Sequence, residues 1–371
     1  MADHWRPAWA EVDLAAIRHN ARLLADLAAP ARLCAVVKAD GYGHGAVPVA
    51  LAALEGGATW LGVALVEEGV ALRDAGIDAP VLVLSEPPPD AFSEMVGQRL
   101  TPTLYTPDAV AALAATVVDA PLPVHVKVDT GMHRVGARPD VAVAVAVAVD
   151  RSPSLRLEGF WTHLAVADEP DNPYTADQLA RFDAARAALA AAGVAPDVVH
   201  AANSAGAIAH PAARYDLVRC GIALYGHAPS ADVELDGLRP AMSLKARVSY
   251  VKRVEPGARV SYGLRYRAER DTVIATVPLG YADGVTRRLA AVGGEVLIRG
   301  RRCPLAGTVT MDQVMVDCGP GAEVGVGDEV VLFGRQGQGE IRAEEWAAAL
   351  DTISYEVVCG IGPRVPRVYT G

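Results

Sequence analysis

Between residues 30 and 225, short runs of Val, Leu and Ile alternate with longer alanine-rich stretches. This rhythm is typical of β–α–β units, in which each strand is followed by a helix and the strands build a parallel sheet. Eight strands are predicted, near residues 33–38, 60–64, 81–85, 101–105, 124–129, 157–163, 198–203 and 217–220. Because eight is the strand number of the (β/α)8 TIM-type barrel, we expect that α/β fold for this part of the chain.

The region 141–149 is less clear, because its strict alternation of Val and Ala has the period of two that strands show. It lies between predicted strands, and Pro139 stands where a proline commonly begins a helix. We therefore predict a helix there.

After about residue 228 the pattern changes. Residues 228–240 contain proline, glycine and acidic residues that are typical of a linker. β-rich segments follow at 243–254, 272–278, 295–299, 313–318 and 329–333, separated by turns such as Pro-Gly, Gly-Gly and Gly-Asp. The sequence thus predicts a barrel over residues 1–235 and a mainly β domain over residues 236–371, leaving open whether the extreme N-terminal residues pair with the β domain.

Composition excludes several classes of function. Apolar residues make up 51% of the chain, but no apolar run approaches the roughly 20 residues that span a bilayer. Residues 1–14 mix charged and apolar side chains, which predicts no secretory signal and a cytoplasmic protein. The net charge of −10 and the lack of a basic run argue against a nucleic-acid partner and favour small molecules.

The cysteines argue against both a disulfide framework and a metal site. There are five of them, they are widely spread, and no two form a C-x-x-C pair. We predict small buried thiols at Cys34, Cys220, Cys303, Cys318 and Cys359.

Lys38 ends the first predicted strand and is followed by a turn that contains Tyr42 and three glycines. A lysine at a strand end is ordinarily a solvated surface residue. At the C-terminal mouth of a barrel, however, its amine can condense with an aldehyde. Glycines let the backbone approach a ligand closely, and a tyrosine hydroxyl can bind a phosphate oxygen. The segment therefore favours a lysine that carries a cofactor.

Residues 36–45 resemble the V-x-K-A-x-x-Y-G-H-G hallmark of the alanine racemase family of fold-type III pyridoxal 5'-phosphate (PLP) enzymes. Further motifs of that family follow in order at 127–134, 161–163, 200–204, 219–222, 261–263, 280–284, 310–313 and 353–356. The resemblance covers nearly the whole chain. It departs at Gly41, where the family usually has alanine, and at Thr310, where a cysteine or serine often precedes Met-Asp. Neither position supplies a catalytic group.

The resemblance implies the two bases that racemisation requires, one on each face of the substrate α-carbon. Lys38 carries PLP and is one base, and Tyr262 is the other. Arg219 is implied to lie at the pyridine nitrogen of PLP, where a guanidinium donates a hydrogen bond without giving up its proton. Related decarboxylases use an acidic residue there, so Arg219 counts against a decarboxylase.

The other implied site residues bind the cofactor or the substrate. The implied cofactor site comprises Lys38, Tyr42, His163, Asn203, Ser204, Arg219, Gly221, Ile222 and Tyr355. His163 is implied to tune Tyr262, and Arg134 to reach the cofactor and the substrate carboxylate. Lys127 matches a position that is often carbamylated to hold that arginine. Met311 is implied to bind the carboxylate through its backbone N–H, and Tyr281 with Tyr355 to form a narrow entrance.

By resemblance, then, we expect a PLP-dependent racemase of L- and D-alanine that supplies cell-wall precursors if the source is bacterial. The residues from the β domain are implied to come from the opposite subunit of a homodimer with composite sites. A broader racemase acting on serine or other small amino acids stays open. A non-catalytic PLP-binding carrier is disfavoured, because such carriers resemble the barrel alone and lack a domain holding Tyr262.

Overall fold

A computed structural model describes residues 5–117 and 121–371 of the chain. It contains two compact units. The α/β unit is Ala15–Arg239, and the β unit combines the residues up to Leu14 with Pro240–Gly371. The first strand, β1 (Ala8–Asp13), therefore belongs to the β unit although it opens the chain.

The α/β unit alternates strands and helices. Its strands are β2 (Arg32–Val36), β3 (Trp60–Val63), β4 (Val81–Val83), β5 (Thr103–Leu104), β6 (Leu122–Lys127), β7 (Leu155–Trp161), β8 (Val198–His200) and β9 (Leu217–Cys220). Its helices are α1 (Leu14–Ala28), α2 (Ala46–Glu55), α3 (Val66–Asp74), α4 (Phe92–Gly97), α5 (Pro107–Thr116), α6 (Pro139–Arg151), α7 (Tyr174–Ala191) and α8 (Ser204–Ala209).

All strand pairs of this unit are parallel. They form two four-stranded sheets, in the orders β4-β3-β2-β9 and β5-β6-β7-β8. A parallel bridge between Leu82 and Thr101 joins the sheets at one edge. At the other edge, the Arg219 N–H donates to the Ala202 carbonyl at 3.0 Å. Each of the eight predicted strands overlaps an observed one, and the predicted α/β class is confirmed.

Helix α6 confirms the helical interpretation of residues 141–149. Its buried residues are Ala142, Val145, Ala146 and Val149, which recur at the i, i+3, i+4 and i+7 spacing of one helix face. In this helix, the alternating Val and Ala residues are distributed around the whole circumference. Their period of two in the sequence therefore does not separate them onto two opposite faces, as it would in a strand.

Several predicted strands extend too far at their C-terminal ends. Strand β7 ends at Trp161 and β8 at His200, so His163 and Asn203 lie beyond the paired backbone. Lys38 likewise follows β2, whereas Arg219 does lie on β9. The prediction was wrong there because apolar and motif residues run on without interruption, and only loss of strand pairing marks the boundary.

The β unit contains three sheets. Its further strands are β10 (Met242–Arg247), β11 (Tyr250–Val254), β12 (Arg259–Val260), β13 (Tyr266–Arg267), β14 (Thr272–Val277), β15 (Glu295–Ile298), β16 (Arg301–Pro304), β17 (Val314–Asp317), β18 (Glu329–Gln336), β19 (Gly339–Ile341) and β20 (Arg367–Thr370). The largest sheet runs β16-β15-β18-β10-β1-β20, with β19 paired to β18. Strands β11-β14-β17 form a second sheet, and β12 and β13 form a hairpin. The predicted mainly β character is confirmed.

The β unit also differs from the sequence prediction in detail. The single strand predicted at 243–254 is two strands, β10 and β11, which pair in different sheets. Two helices, α9 (Ala343–Leu350) and α10 (Ser354–Cys359), were not predicted. In both units, no helix of the described residues is long and apolar enough to cross a membrane.

The backbone after β2 makes a left-handed turn at Lys38–Tyr42. Ala39, Asp40 and Tyr42 have φ of 52°, 50° and 51°, a conformation that costs non-glycine residues roughly 1–2 kcal/mol each. The carboxylate of Glu68 offsets part of this cost, because it accepts the N–H of Ala39 at 2.6 Å. The Asp40 carboxylate holds the other end of the turn by accepting the Ala46 N–H at 2.8 Å.

Replacing Glu68 should therefore loosen the turn that follows Lys38. Glu68 also accepts the N–H of Ala64 and Leu65, at 2.8 and 3.1 Å. We expect Glu68→Ala to lower the free energy of unfolding by about 1–3 kcal/mol, since backbone donors lose a charged acceptor. Urea unfolding followed by circular dichroism measures it.

Glu67→Ala is the matched control, because Glu67 is exposed one residue earlier in the same helix turn. Its side chain makes no hydrogen bond or ion pair with the described residues. It should change the unfolding free energy by less than about 0.5 kcal/mol. Equal losses in the two variants would show that removal of a negative charge from the first helix turn, and not loss of the tether, sets the effect.

Candidate active site

In the α/β unit, the predicted site residues lie at or just beyond the C-terminal ends of the parallel strands. Lys38 follows β2, Arg134 lies in the loop after β6, and His163 follows β7. Asn203 and Ser204 open helix α8 after β8. Gly221 and Ile222 follow Arg219 at the end of β9. Barrel enzymes bind their ligands at this end of the strands.

Tyr42, Ser204 and Gly221 form a tight polar cup. The Ser204 hydroxyl accepts the N–H of Gly221 at 3.0 Å. A Cβ on residue 221 would lie 2.3 Å from the Tyr42 hydroxyl, so only glycine permits this approach. The Tyr42 ring stacks on Tyr225 with centroids 4.8 Å apart, which fixes the direction of its hydroxyl. Ile222 begins a 3-10 turn, and its N–H has no acceptor within that turn.

Arg219 is a buried cation that has no carboxylate partner among the residues the structure describes. Its side chain is 3% exposed. Its Nη2 donates to the carbonyl oxygens of Thr162 and Ala201, both at 3.0 Å, and its Cζ lies 4.4 Å from the centre of the Trp161 ring. Burial lowers the pKa of Arg219 to about 10, so the guanidinium stays charged at neutral pH.

Two imidazoles complete the environment of Arg219. Its Nη1 lies 2.8 Å from Nδ1 of His200, and its Nη2 lies 3.2 Å from Nδ1 of His163. A guanidinium can only donate, so Nδ1 of His200 accepts from Nη1. Nη2 has two hydrogens for three acceptors, so Nδ1 of His163 shares one of them with a backbone carbonyl. Both rings therefore carry their proton on Nε2. Burial, and then the charge of Arg219, hold the pKa of each histidine well below its usual range. Both rings are therefore neutral at physiological pH.

The tautomer of His200 determines the tautomer of a further buried histidine, His125. Its Nε2 donates to Nδ1 of His125 at 2.9 Å, so His125 in turn carries its proton on Nε2. That atom lies 3.5 Å from the Glu158 carboxylate. Sequence reasoning missed His125 and Glu158. The only signal was two polar residues that point inward from strands β6 and β7, where apolar side chains are the rule.

Lys127 lies in a cluster of positive charge. Its side chain is 4% exposed, and its Nζ lies 4.5 Å from the centre of the Trp161 ring. Burial, followed by the charges of Arg219 and Arg134, lowers the pKa of Lys127 to about 7. The charge of Lys38 acts in the same direction. A fraction of the Lys127 amines is therefore uncharged at neutral pH, which is unusual for a lysine.

In the β unit, three predicted residues are exposed. Tyr262 is 72%, Tyr281 43% and Met311 52% exposed. Thr308 anchors the Tyr262 loop, since its hydroxyl donates to the Tyr262 carbonyl at 2.8 Å. Tyr281 and Met311 lie on backbone segments that are joined directly: the Tyr281 N–H donates to the Thr310 carbonyl at 3.0 Å.

The close approach of these two segments requires a glycine. A Cβ on Gly280 would lie 2.3 Å from the carbonyl oxygens of both Thr310 and Met311. The sequence motif at 280–284 thus reflects backbone packing that keeps Tyr281 beside Met311. Tyr355 is a half-buried residue of helix α10 in the same unit.

Comparison with known proteins covers both units. Residues 12–229 match the family profile described as alanine racemase, N-terminal domain, and residues 241–369 match alanine racemase, C-terminal domain. A protein named alanine racemase from Symbiobacterium thermophilum is 53% identical, over all of this chain and 98% of its own length. Another from Desulfovibrio desulfuricans is 47% identical, over 98% of both chains.

Solved structures give the same result. Alanine racemase from Streptomyces coelicolor superimposes with a TM-score of 0.94 at 43% identity, covering 98% of both chains. The enzyme from Bacillus anthracis with bound L-Ala-P superimposes with a TM-score of 0.92 at 39% identity, covering all of this chain and 96% of its own. The chain therefore belongs to the alanine racemase family, whose members are PLP-dependent isomerases of L- and D-alanine.

Proposed function

We propose that this chain interconverts L- and D-alanine with PLP held at Lys38, and that Lys38 and Tyr262 exchange the α-proton. The observation that carries the proposal is Arg219, a buried guanidinium that has no carboxylate partner among the described residues and is held by two neutral imidazoles. Arg219 lies on β9, which pairs with β2, the strand that precedes Lys38. The α/β unit, Ala15–Arg239, would hold the cofactor, and the β unit would supply the second base.

The α/β unit suits PLP in three respects. The cup of Tyr42, Ser204, Gly221 and Ile222 offers the hydroxyls of Tyr42 and Ser204 and the N–H of Ile222 to a phosphate, while the Gly221 N–H is held by Ser204. Asn203 stabilises the cup by capping helix α8 through the Gly206 N–H at 2.8 Å. Lys38 offers an amine to an aldehyde. Arg219 offers a donor to a ring nitrogen. When bound, PLP withdraws electrons from the substrate α-carbon, so that its proton can be removed.

Arg219 would act by keeping its own proton. A guanidinium with a pKa of about 10 donates a hydrogen bond to an acceptor nitrogen at neutral pH but does not protonate it. His163 and His200 occupy other Arg219 donors and orient the planar group. Reprotonation at the α-carbon is thereby favoured over reactions that need a stronger electron sink, as racemisation requires.

The α-proton would move between Lys38 Nζ on one face of the α-carbon and Tyr262 Oη on the other. His163 carries its proton on Nε2, because Arg219 occupies Nδ1, and that Nε2–H is suited to stabilise the Tyr262 oxygen when it has lost its proton. The exposure of Tyr262, Tyr281 and Met311 on the β unit supports a homodimer, in which these residues serve the Lys38 site of the other copy.

In that dimer, Met311 would bind the substrate carboxylate through its N–H, and Tyr281 with Tyr355 would narrow the entrance to small side chains. Arg134 would add a positive charge for the same carboxylate. Asp129 orders the loop of Arg134 by accepting the N–H of Gly131 and His133, each at 3.0 Å. In a bacterium, the product D-alanine would enter peptidoglycan precursors.

The direct test is incubation of the purified protein with L-alanine in D2O. Two bases that exchange with solvent should give D-alanine that carries deuterium at the α-carbon, scored by chiral chromatography and mass spectrometry. L-Serine at equal concentration tests the broader specificity, since the proposed narrow entrance predicts slower turnover of the larger substrate. Formation of pyruvate or decarboxylated amine as the main product would refute racemisation.

Mixing two inactive variants tests the composite site. Tyr262→Phe should keep the cofactor and lose about 10²- to 10⁴-fold in rate, as expected on removal of a general base. Lys38→Ala should lack the cofactor link. After random exchange, half of the dimers are mixed and each holds one intact site, so up to roughly a quarter of wild-type activity should return.

Tyr250→Phe is the control, because Tyr250 is another exposed tyrosine of the β unit, 56% exposed, with no proposed role. It should be active alone and should not alter the recovery. If subunit exchange is verified by native mass spectrometry and no activity returns, Tyr262 serves the Lys38 of its own chain or is not the base.

The lowered pKa of Lys127 predicts carbamylation. An uncharged amine attacks CO2, and the anionic carbamate would turn repulsion among Lys127, Arg134 and Arg219 into attraction. The chain has four lysines, Lys38, Lys127, Lys245 and Lys252, so a ¹³C NMR signal after incubation with ¹³C-bicarbonate has few sources. We expect a carbamate signal at pH 8 that fades as the pH falls through about 7, where the amine becomes protonated.

Two variants separate the charge from the modification. Lys127→Arg cannot form a carbamate and should abolish the signal, whereas Lys127→Glu carries a permanent negative charge and should retain more activity than Lys127→Arg. Persistence of the ¹³C signal in Lys127→Arg would assign it to another lysine and overturn the proposal.

A further inference from the structure

Cys303 lies on β16 and Cys318 directly follows β17, and the two chain segments run antiparallel beside each other in the β unit. Leu305 pairs with Val316 in an antiparallel bridge, and the Ala306 N–H donates to the Met315 carbonyl at 2.7 Å. Because the two segments are antiparallel, moving two residues back from Leu305 to Cys303 corresponds to moving two residues forward from Val316 to Cys318. The same register therefore places Cys303 directly across from Cys318.

The backbone hydrogen bonds also show which type of antiparallel pair Cys303 and Cys318 form. The Cys318 N–H donates to the Val273 carbonyl of β14 at 2.9 Å, on the side of β17 away from Cys303. Cys303 and Cys318 thus form a non-hydrogen-bonded pair, in which the Cα atoms are typically about 4.5 Å apart. That separation lies within the roughly 4.4–6.8 Å that disulfides span.

The two sulfur atoms interact and face a cavity. Both residues are nearly buried, at 4% and 3% exposure, yet both line a surface cavity of about 320 Å³ with Arg299, Arg301 and Glu323. The neighbouring Cys318 thiol, and then the charge of Arg301, lowers the pKa of Cys303. The neighbouring Cys303 raises the pKa of Cys318. Cys303 is thus the better nucleophile of the pair.

We propose that Cys303 and Cys318 form an oxidisable dithiol site that takes a small peroxide from the cavity and closes to a reversible disulfide between β16 and β17. The inference goes beyond racemisation and does not depend on it. The disulfide would close the loop 304–317, which carries Thr310 and Met311, and would thus brace this loop against its own sheet.

The chemistry balances with hydrogen peroxide as the oxidant. The Cys303 thiolate attacks one peroxide oxygen, becomes a sulfenic acid and releases hydroxide. The Cys318 thiol then attacks the Cys303 sulfur, forms the S–S bond and releases water. The two thiols lose two electrons and two protons, and the peroxide becomes two molecules of water. A dithiol reductant reverses the change by thiol–disulfide exchange.

The other cysteines provide an internal comparison. Burial raises the pKa of Cys34 and of Cys220, each to about 12, so these thiols should stay reduced. Cys359 is exposed and can react with other copies of the protein. Only the Cys303–Cys318 pair combines proximity, a lowered pKa and access to a cavity among the described residues.

Peptide mass spectrometry tests the proposal on the full-length protein. Trypsin should release residues 303–335 as one peptide, because no Lys or Arg occurs from 303 to 334. After brief hydrogen peroxide treatment and N-ethylmaleimide alkylation in denaturant, this peptide should be lighter by two hydrogen atoms and carry no N-ethylmaleimide. Dithiothreitol should restore two alkylatable thiols, and the oxidised protein should show a higher Tm than the reduced one.

Variants distinguish the disulfide from general oxidation. Cys359→Ser should form it as the wild type does. Cys318→Ser should stop at the Cys303 sulfenic acid, which dimedone traps, and should show no rise in Tm. A Cys303 that becomes sulfinic acid while Cys318 stays alkylatable, a disulfide that involves Cys359, or oxidation of Cys34 at the same rate would each overturn the proposal.

Discussion

The arrangement of side chains at the C-terminal ends of strands β7, β8 and β9 depends on one buried charge, the guanidinium of Arg219. Arg219 has no carboxylate partner among the described residues, and transfer of an unpaired ion into a protein interior is costly. Backbone carbonyls, two imidazoles and the Trp161 ring replace the water that the guanidinium has lost. Because a guanidinium only donates, each of these neighbours must accept. The protonation of His163 and His200 is thereby decided by Arg219, and so is that of His125.

A second consequence is an excess of positive charge in a protein whose net charge is −10. Burial lowers the pKa of His163 most, and the nearby charges of Arg219, Lys127, Arg134 and Lys38 lower it further. No carboxylate of the described residues neutralises Arg219, so anionic ligands such as a phosphate and an amino-acid carboxylate would be stabilised there. Burial, and then the same positive charges, lower the pKa of Lys127, and a carbamate would be one further anion that relieves the repulsion.

Strained backbone or a close backbone approach occurs in three of the segments that carry predicted site residues. The left-handed turn after Lys38 is expensive for Ala39 and Asp40, yet Glu68 holds it from a neighbouring helix. Gly221 and Gly280 are required because a Cβ would collide with the Tyr42 hydroxyl and with the carbonyls of Thr310 and Met311. Strained or crowded backbone of this kind persists where function requires a fixed geometry.

The sequence by itself determined the fold class, the family and the order of the motifs, because hydrophobic periodicity and local motifs are properties of neighbouring residues. It also predicted helix α6 despite the alternation at 141–149. It did not predict the ends of β7 and β8, because only the loss of backbone pairing ends those strands. It also predicted β10 and β11 as one strand, whereas they are two strands that pair in different sheets.

Tertiary structure alone decided the chemistry between distant residues. The tautomers of His125 and His200 follow from a contact between β6 and β8 and from Arg219 on β9. Burial, and then three cations from separate segments, lower the pKa of Lys127. Cys303 and Cys318 are unremarkable in the sequence, but strand register places them face to face. Such properties depend on distance and burial, and these are fixed only when the chain has folded.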